Sequence, residues 1–322
     1  YEGKKYFKEN NSFYKSIKWI DSNKTYNWSN LNLECPDIFF QAGWTIKPFK
    51  HFGKISRIEN KRCKIILTAD NCFKKNNFRQ FIGKYIFQLF YKNLFDYVWV
   101  PGESGKKLMI KFGMNKKKIF TGLYTSLIKL YKNINPPKYR NKQFLFIGRF
   151  EKYKNIKILI KAFNKIQIDK KKNWKLVLVG NGSLNLKSHE NNNIKIIKFS
   201  SPSKLLKLYN QSLFFVLPSL KDHWPLVVHE ASLCGCFLLL SERVGNIPEF
   251  AKNSNSVIFN PRSLNSVKNS LESAMNFSIN ELTRANKQSE VLAKKTNYKN
   301  SYDQFMKIIY ECLRNTLIAK KI

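Results

Sequence analysis

No stretch of this sequence approaches the roughly 20 consecutive apolar residues of a membrane-spanning helix. The longest apolar runs, LFFVLP and CFLLL, have the length of buried strands. Acids are scarce: Asp and Glu number 21 against 58 Lys and Arg, a formal net charge of +37. Such a charge suits nucleic acid, but lysine far outnumbers arginine and runs along the whole chain. The clusters Lys116–Lys118 and Lys170–Lys172 read as solvated loops. Nucleic-acid readers place Arg at base edges and gather charge on one face, so no nucleic-acid partner is expected. Peripheral contact with an anionic membrane, worth about 1 kcal/mol per well-placed basic residue, suits the charge better. Cysteines Cys35, Cys63, Cys72, Cys234, Cys236 and Cys312 show no framework or metal spacing and read as free thiols of a reducing cytoplasm. No Asp stands two positions from another, so there is no Asp-x-Asp pair to bridge a metal to a diphosphate. No metal or other cofactor is expected. The segment PGESGKK lacks the phosphate-loop spacing, which argues against an NTPase. No signal peptide is visible, and the chain opens YEGKKYFKEN without Met, so it reads as a fragment or a processed product.

A chain of 322 residues suits two domains. From residue 143 onward short apolar runs alternate with helical patterns. Strands are expected at 143–147, 174–179, 194–199, 213–217, 237–240 and 257–259. Helices are expected at 155–166 (Asn155 at its start), 203–210 (capped by Ser203), 226–234 and 263–274. Continuous apolar strands of this kind belong to a doubly wound parallel sheet covered on both faces. The first half is less regular, with strands expected at 37–40, 64–68 and 97–100 and helices at 78–95 and 105–112. Pro136-Pro137-Lys138 breaks both patterns and is taken as the linker. Domains of 1–137 and 138–295 follow, then a C-terminal helix at 296–322 that crosses back to the first domain.

Ligands of open parallel sheets bind beyond the carboxyl ends of the strands. Three features lie there in the second half. Gly148-Arg149 follows the strand 143–147, with Lys154 just before the helix; two cations beside a helix N-terminus make an anion site. Gly180-Asn181-Gly182 is a strand-end turn. Leu213–Gly235 is a strand, a loop bearing Asp222 and a helix bearing Glu230, two acids suited to gripping hydroxyl groups. His223 and His229 read as packing or polar-face residues.

FLFIGRFEKYKNIKILIKAF, LVLVGNGS, FVLPSLKDHWPLVVHEASLCGCFLLLS and GNIPEF, in this order, resemble the donor half of retaining GT-B glycosyltransferases of family 4. DIFFQAGW, ILTADN and FDYVWVPGESGKKLMIKFG resemble its acceptor domain. The resemblance implies an α/β GT-B fold, two Rossmann-like domains facing across a cleft, here with an N-terminal domain short by a strand or more. It implies an enzyme that moves a hexosyl group from a nucleotide sugar to a glycan or lipid-linked acceptor with retention. Such a reaction belongs to cell-surface polysaccharide or glycoconjugate synthesis, in the cytoplasm or on the inner membrane face. Arg149 and Lys154 would bind the donor diphosphate and stabilise the leaving group, and Glu230 would accept from the ribose hydroxyls. Asp222 would contact the transferred sugar. Ser219 and the backbone around His223, Trp224 and Leu226 would complete the donor site. Asp70, at a strand end in the first half, is a further catalytic candidate, with Asn71, Arg79 and Gln80 as neighbours. The family usually has Glu where this chain has Asp222, which bears on sugar choice and on activity. A non-catalytic, degenerate transferase that holds a nucleotide sugar and a GT-B sugar-nucleotide epimerase or phosphorylase are the competing readings.

Overall fold

The computed structural model describes residues 26–318, apart from 75, 76, 168, 170–172 and 199. The Lys170–Lys172 cluster, Phe199 and residues 319–322 of the expected C-terminal helix therefore lie outside the described residues. Among the described residues, ten strands form two sheets, each parallel throughout.

The first sheet adds its strands in one direction: β1 (Ile38–Ala42), β2 (Lys64–Thr68), β3 (Tyr97–Trp99) and β4 (Ile119–Phe120). Its connecting helices are α1 (Lys47–Glu59), α2 (Phe78–Phe90) and α3 (Glu103–Lys111). Right-handed crossovers in one direction put all three helices on one face of the sheet. Alternation along β2 shows this directly. Ile65 and Leu67 pack with Phe87 of α2 and Leu108 of α3, while Ile66 points the other way. That second face is covered by α10 (Tyr298–Ile318), whose Ile308 and Cys312 join Ile66, Tyr97 and Phe120. Phe305 of the same helix stacks on Phe40 with centroids 5.5 Å apart. Helix α1 and strand β4 were not foreseen; α1 carries a proline in its first turn, which suits a helix start. The expected helix 78–95 ends at Phe90, and a 3-10 turn, Lys92–Leu94, follows.

The second sheet has the order β10-β9-β8-β5-β6-β7, from β5 (Asn141–Ile147), β6 (Lys175–Val179), β7 (Ile194–Ile197), β8 (Ser212–Leu217), β9 (Phe237–Ser241) and β10 (Ser256–Phe259). Strand β8 is buried throughout and β5 from Gln143 onward, which explains their apolar runs. Helix α4 (Ile156–Asn164) follows β5, α5 (Pro202–Gln211) precedes β8 and α6 (Leu226–Leu233) follows it. Next come α7 (Ile247–Phe250), α8 (Leu264–Met275) and α9 (Ile279–Lys294). Ser203 lies inside α5 rather than capping it. Asn155 precedes α4 in the left-handed region at φ 58°, and its side chain donates to the Pro261 carbonyl instead of capping.

The segment between the sheets is tied to the second one. Tyr131 packs in its core, and the buried Arg140 guanidinium donates to Asn133 Oδ1 and to the carbonyls of Asn135, Ser212 and Cys234. Pro136-Pro137-Lys138 lies inside this tied segment.

Candidate active site

Successive strands of the second sheet run outward from β5 to β7 and then resume on its other side at β8. The topological switch point therefore lies between β5 and β8. A crevice opens there beyond the carboxyl ends, because the flanking connections leave toward opposite faces. Arg149 stands just past β5, and the loop 218–225 stands just past β8. Strand order alone brings these two segments face to face.

In the β5 loop, Arg149 donates to the Tyr153 hydroxyl at 2.5 Å, and its guanidinium lies 5.6 Å from that ring's centroid. Lys154 is buried, and its Nζ donates to Asp222 Oδ2 at 2.5 Å across the switch point. The hydroxyl of Ser219, itself buried, lies 3.4 Å from the same carboxylate oxygen. Asp222 also forms a bridge with Val244, which fixes its loop against the end of β9.

Arg149, Tyr153, Lys221, Asp222, His223 and Trp224 line a cavity of about 360 Å³ whose opposite wall carries Asp70 and Tyr124. Asp70 lies just past β2 and Tyr124 past β4, so both sheets contribute strand ends to this cavity. The walls are held together by Cys72 and His223. The backbone N–H of Cys72 donates to His223 Nδ1 at 3.3 Å, and its Sγ lies 3.2 Å from the same nitrogen. Nδ1 therefore accepts, and the ring carries its proton on Nε2. Burial, and secondarily the Lys221 charge, hold this imidazole below its ordinary range.

Other expected site residues lie outside the cavity wall. Glu230, on α6, accepts from the Tyr209 hydroxyl at 2.9 Å. Burial raises its pKa, and the tyrosine hydrogen bond offsets part of that rise. Leu226 begins α6 and is exposed. Gly148 and the turn Gly180–Gly182 pack on one another: a Cβ on Gly180 would strike the Gly148 carbonyl, and one on Gly182 the Phe150 backbone. Gly180 also has a φ of +150°, so the close backbone packing of the two loops requires glycine at 180 and 182. His229 is a structural residue. Its Nδ1 accepts from Ser126 N–H at 3.2 Å and its Nε2 donates to the Ala293 carbonyl at 3.0 Å. Gln80 braces the loop that carries Asp70, while Asn71 and Arg79 are exposed and away from the cavity wall. Tyr124, Tyr153 and Lys221 were missed. Tyr153, one position before Lys154 in a strand-end loop, carried a signal; Tyr124 carried none.

A family model described as "Glycosyl transferases group 1" matches residues 128–291. The chain is 23% identical over 224 residues to a Campylobacter jejuni protein, covering 66% of this chain and 59% of that one. That relative is the N-acetylgalactosamine-N,N'-diacetylbacillosaminyl-diphospho-undecaprenol 4-alpha-N-acetylgalactosaminyltransferase. Among solved structures, the fold is similar to a glycosyltransferase from Rickettsia africae, with a TM-score of 0.69 and 12% identity over 89% of this chain and 79% of that one. It is also similar to Anabaena Alr3699/HepE in complex with UDP and glucose, with a TM-score of 0.66 and 14% identity over 85% and 77% of the two chains. Two parallel α/β sheets facing across a cleft are the GT-B fold in which these structures share. The family match spans the whole segment from Ile128 through β5, the switch point and most of α9, and on it the chain belongs to the glycosyl transferases group 1 family.

Proposed function

We propose that this chain is a retaining glycosyltransferase of family 4 that moves a hexosyl group from a nucleotide sugar to a glycan or lipid-linked acceptor. The observation that carries the reading is the pairing of Arg149 and Lys154 at one carboxyl end of the switch point with Asp222 at the other. A diphosphate placed there meets two cations. Lys154 exchanges its Asp222 partner for a phosphate oxygen, and the freed carboxylate turns to a sugar hydroxyl. Both cations stabilise the charge that grows as the nucleoside diphosphate leaves, without a metal. The leaving phosphate helps to deprotonate the acceptor on the face from which it departs. Glu230 accepts from the ribose hydroxyls, and Asp70 on the facing wall orients the acceptor.

The neighbour that holds UDP and glucose makes UDP sugars the first donors to try, and the C. jejuni relative makes a lipid diphosphate-linked glycan the first acceptor. The test is turnover of radiolabelled UDP sugars with such an acceptor. Activity that Arg149→Ala and Glu230→Ala abolish supports the reading. Conversion of the donor without any acceptor assigns an epimerase instead.

A further inference from the structure

Helix α2 presents its larger apolar face to solvent. Phe78, Phe81, Ile82, Tyr85, Ile86 and Leu89 follow one another at steps of three, one, three, one and three along it, a single continuous stripe. All six are exposed, Phe78 at 73% and Leu89 at 76%, and Phe90 at 71% extends the stripe. The inward face is thin by comparison. Phe87 is the one buried residue of α2, and Gly83 faces Phe112 and Trp44. Scattered apolar residues are normal on a surface, but a contiguous stripe marks an interaction site.

Charge identifies what it meets. Helix α2 contains no acid, and Arg79 and Lys84 are its charged residues. Its flanks are basic as well: Lys107 and Lys111 lie 4.9 Å and 5.2 Å from the ring centroid of Phe73, and Lys50 lies 5.7 Å from that of Tyr91. An apolar stripe bordered by cations matches the boundary between anionic headgroups and acyl chains. We propose that α2 docks this protein on an anionic bilayer, with the stripe inserted between lipid chains and the lysines on the headgroups.

Position then links docking to the cavity. Gln80, in the first turn of α2, donates to the Cys72 carbonyl at 2.7 Å and accepts from Lys74 N–H at 3.0 Å. Cys72 in turn meets His223 across the cleft. A helix lying on the bilayer therefore holds the loop of Asp70 beside the membrane surface, where a lipid-linked acceptor presents its headgroup. This last step rests on the proposed transferase activity; the docking does not.

The test is co-sedimentation of the full chain with phosphatidylcholine vesicles, with and without phosphatidylglycerol. The chain is expected to pellet with the anionic vesicles and to be released as salt rises. The double variant Phe81→Ser/Leu89→Ser is expected to lower the partition coefficient by roughly tenfold or more, with its melting temperature unchanged. Equal partitioning of variant and wild type would overturn the proposal, as would wild-type binding to neither vesicle. So would light scattering that shows a dimer which the same variant dissolves, since the stripe would then serve a second copy. Turnover separates the two proposals. The variant should keep activity on a short-chain, detergent-soluble acceptor and lose it on a vesicle-embedded one. Vesicle binding without turnover in either arm would sink the transferase reading alone.

Discussion

Lys154 and Asp222 meet across the switch point of the second sheet, Nζ to Oδ2 at 2.5 Å, with side chains only 11% and 14% exposed. Each neutralises the other, and under the proposed donor binding Lys154 turns to a phosphate oxygen and Asp222 to a sugar hydroxyl. The pair is a structural link between the two strand ends, and the proposed function makes it a switch between two binding roles.

Removing one member strands the other. Loss of one partner from a fully buried pair costs about 3–5 kcal/mol, and the residual exposure here reduces that to about 2 kcal/mol. Asp222→Asn is expected to lower unfolding free energy by that amount in denaturant titration. Lys154→Met in the same chain should recover part of it, giving a clear coupling energy in the double-mutant cycle.

His229 makes stability depend on pH. Burial lowers its pKa to about 4 from the ordinary 6.5. The unfolded chain therefore binds a proton that the folded one refuses, so stability is full above the unfolded value and falls as pH drops toward the folded one. At about 1.4 kcal/mol per pH unit, the loss reaches roughly 3 kcal/mol across this window. His229→Gln keeps an acceptor and a donor without a titrating ring, and its stability should be flatter over the same window, as measured by urea midpoints.

Tyr209 is buried, and its hydroxyl lowers the pKa of Glu230 while burial raises it. Tyr209→Phe removes only the lowering contribution. Donor binding that needs an ionised Glu230 should then weaken at a higher pH than in the wild type. The acidic limb of kcat/KM for the donor is expected to move upward in pH, with kcat at saturating donor and neutral pH nearly unchanged. An unmoved limb would detach Glu230 from the donor.

Cys72 is expected to resist alkylation. Burial pushes its thiol pKa up, and His223 and Gly245 close over it. Cys35, the one cysteine of the six with partial exposure, should label first with a maleimide. Modification of Cys72 should wedge the cleft open and abolish turnover, and Cys72→Ala should keep turnover but lose that sensitivity.

Much of this was legible in the sequence where chemistry follows chain order. Gly148-Arg149 and the Asp222 loop follow strands whose apolar runs are unbroken because both faces of the sheet are covered. What remained hidden depends on long-range placement. Cys72 and His223 are 151 positions apart, and neither residue type announces the other. Tyr124 lines the cavity four residues past the end of β4, a strand only two residues long that the apolar pattern does not mark. The stripe on α2 was readable as a helix, but an apolar period is the same whether its face is buried or bare. The glycines at 180 and 182 look like a ligand loop in sequence, yet backbone packing against Gly148 and Phe150 is enough to require them.

Arg149 and Lys154 are proposed to hold a donor diphosphate at the switch point. The most direct measurement is a thermal-shift screen of UDP, GDP and ADP sugars on the wild type and on Arg149→Ala. Binding stabilises by RT ln(1 + [L]/Kd), about 2.7 kcal/mol at one hundred times Kd. A rise in melting temperature with one nucleotide class is expected, absent in Arg149→Ala. A flat response in the wild type, or an undiminished rise in the variant, would contradict it.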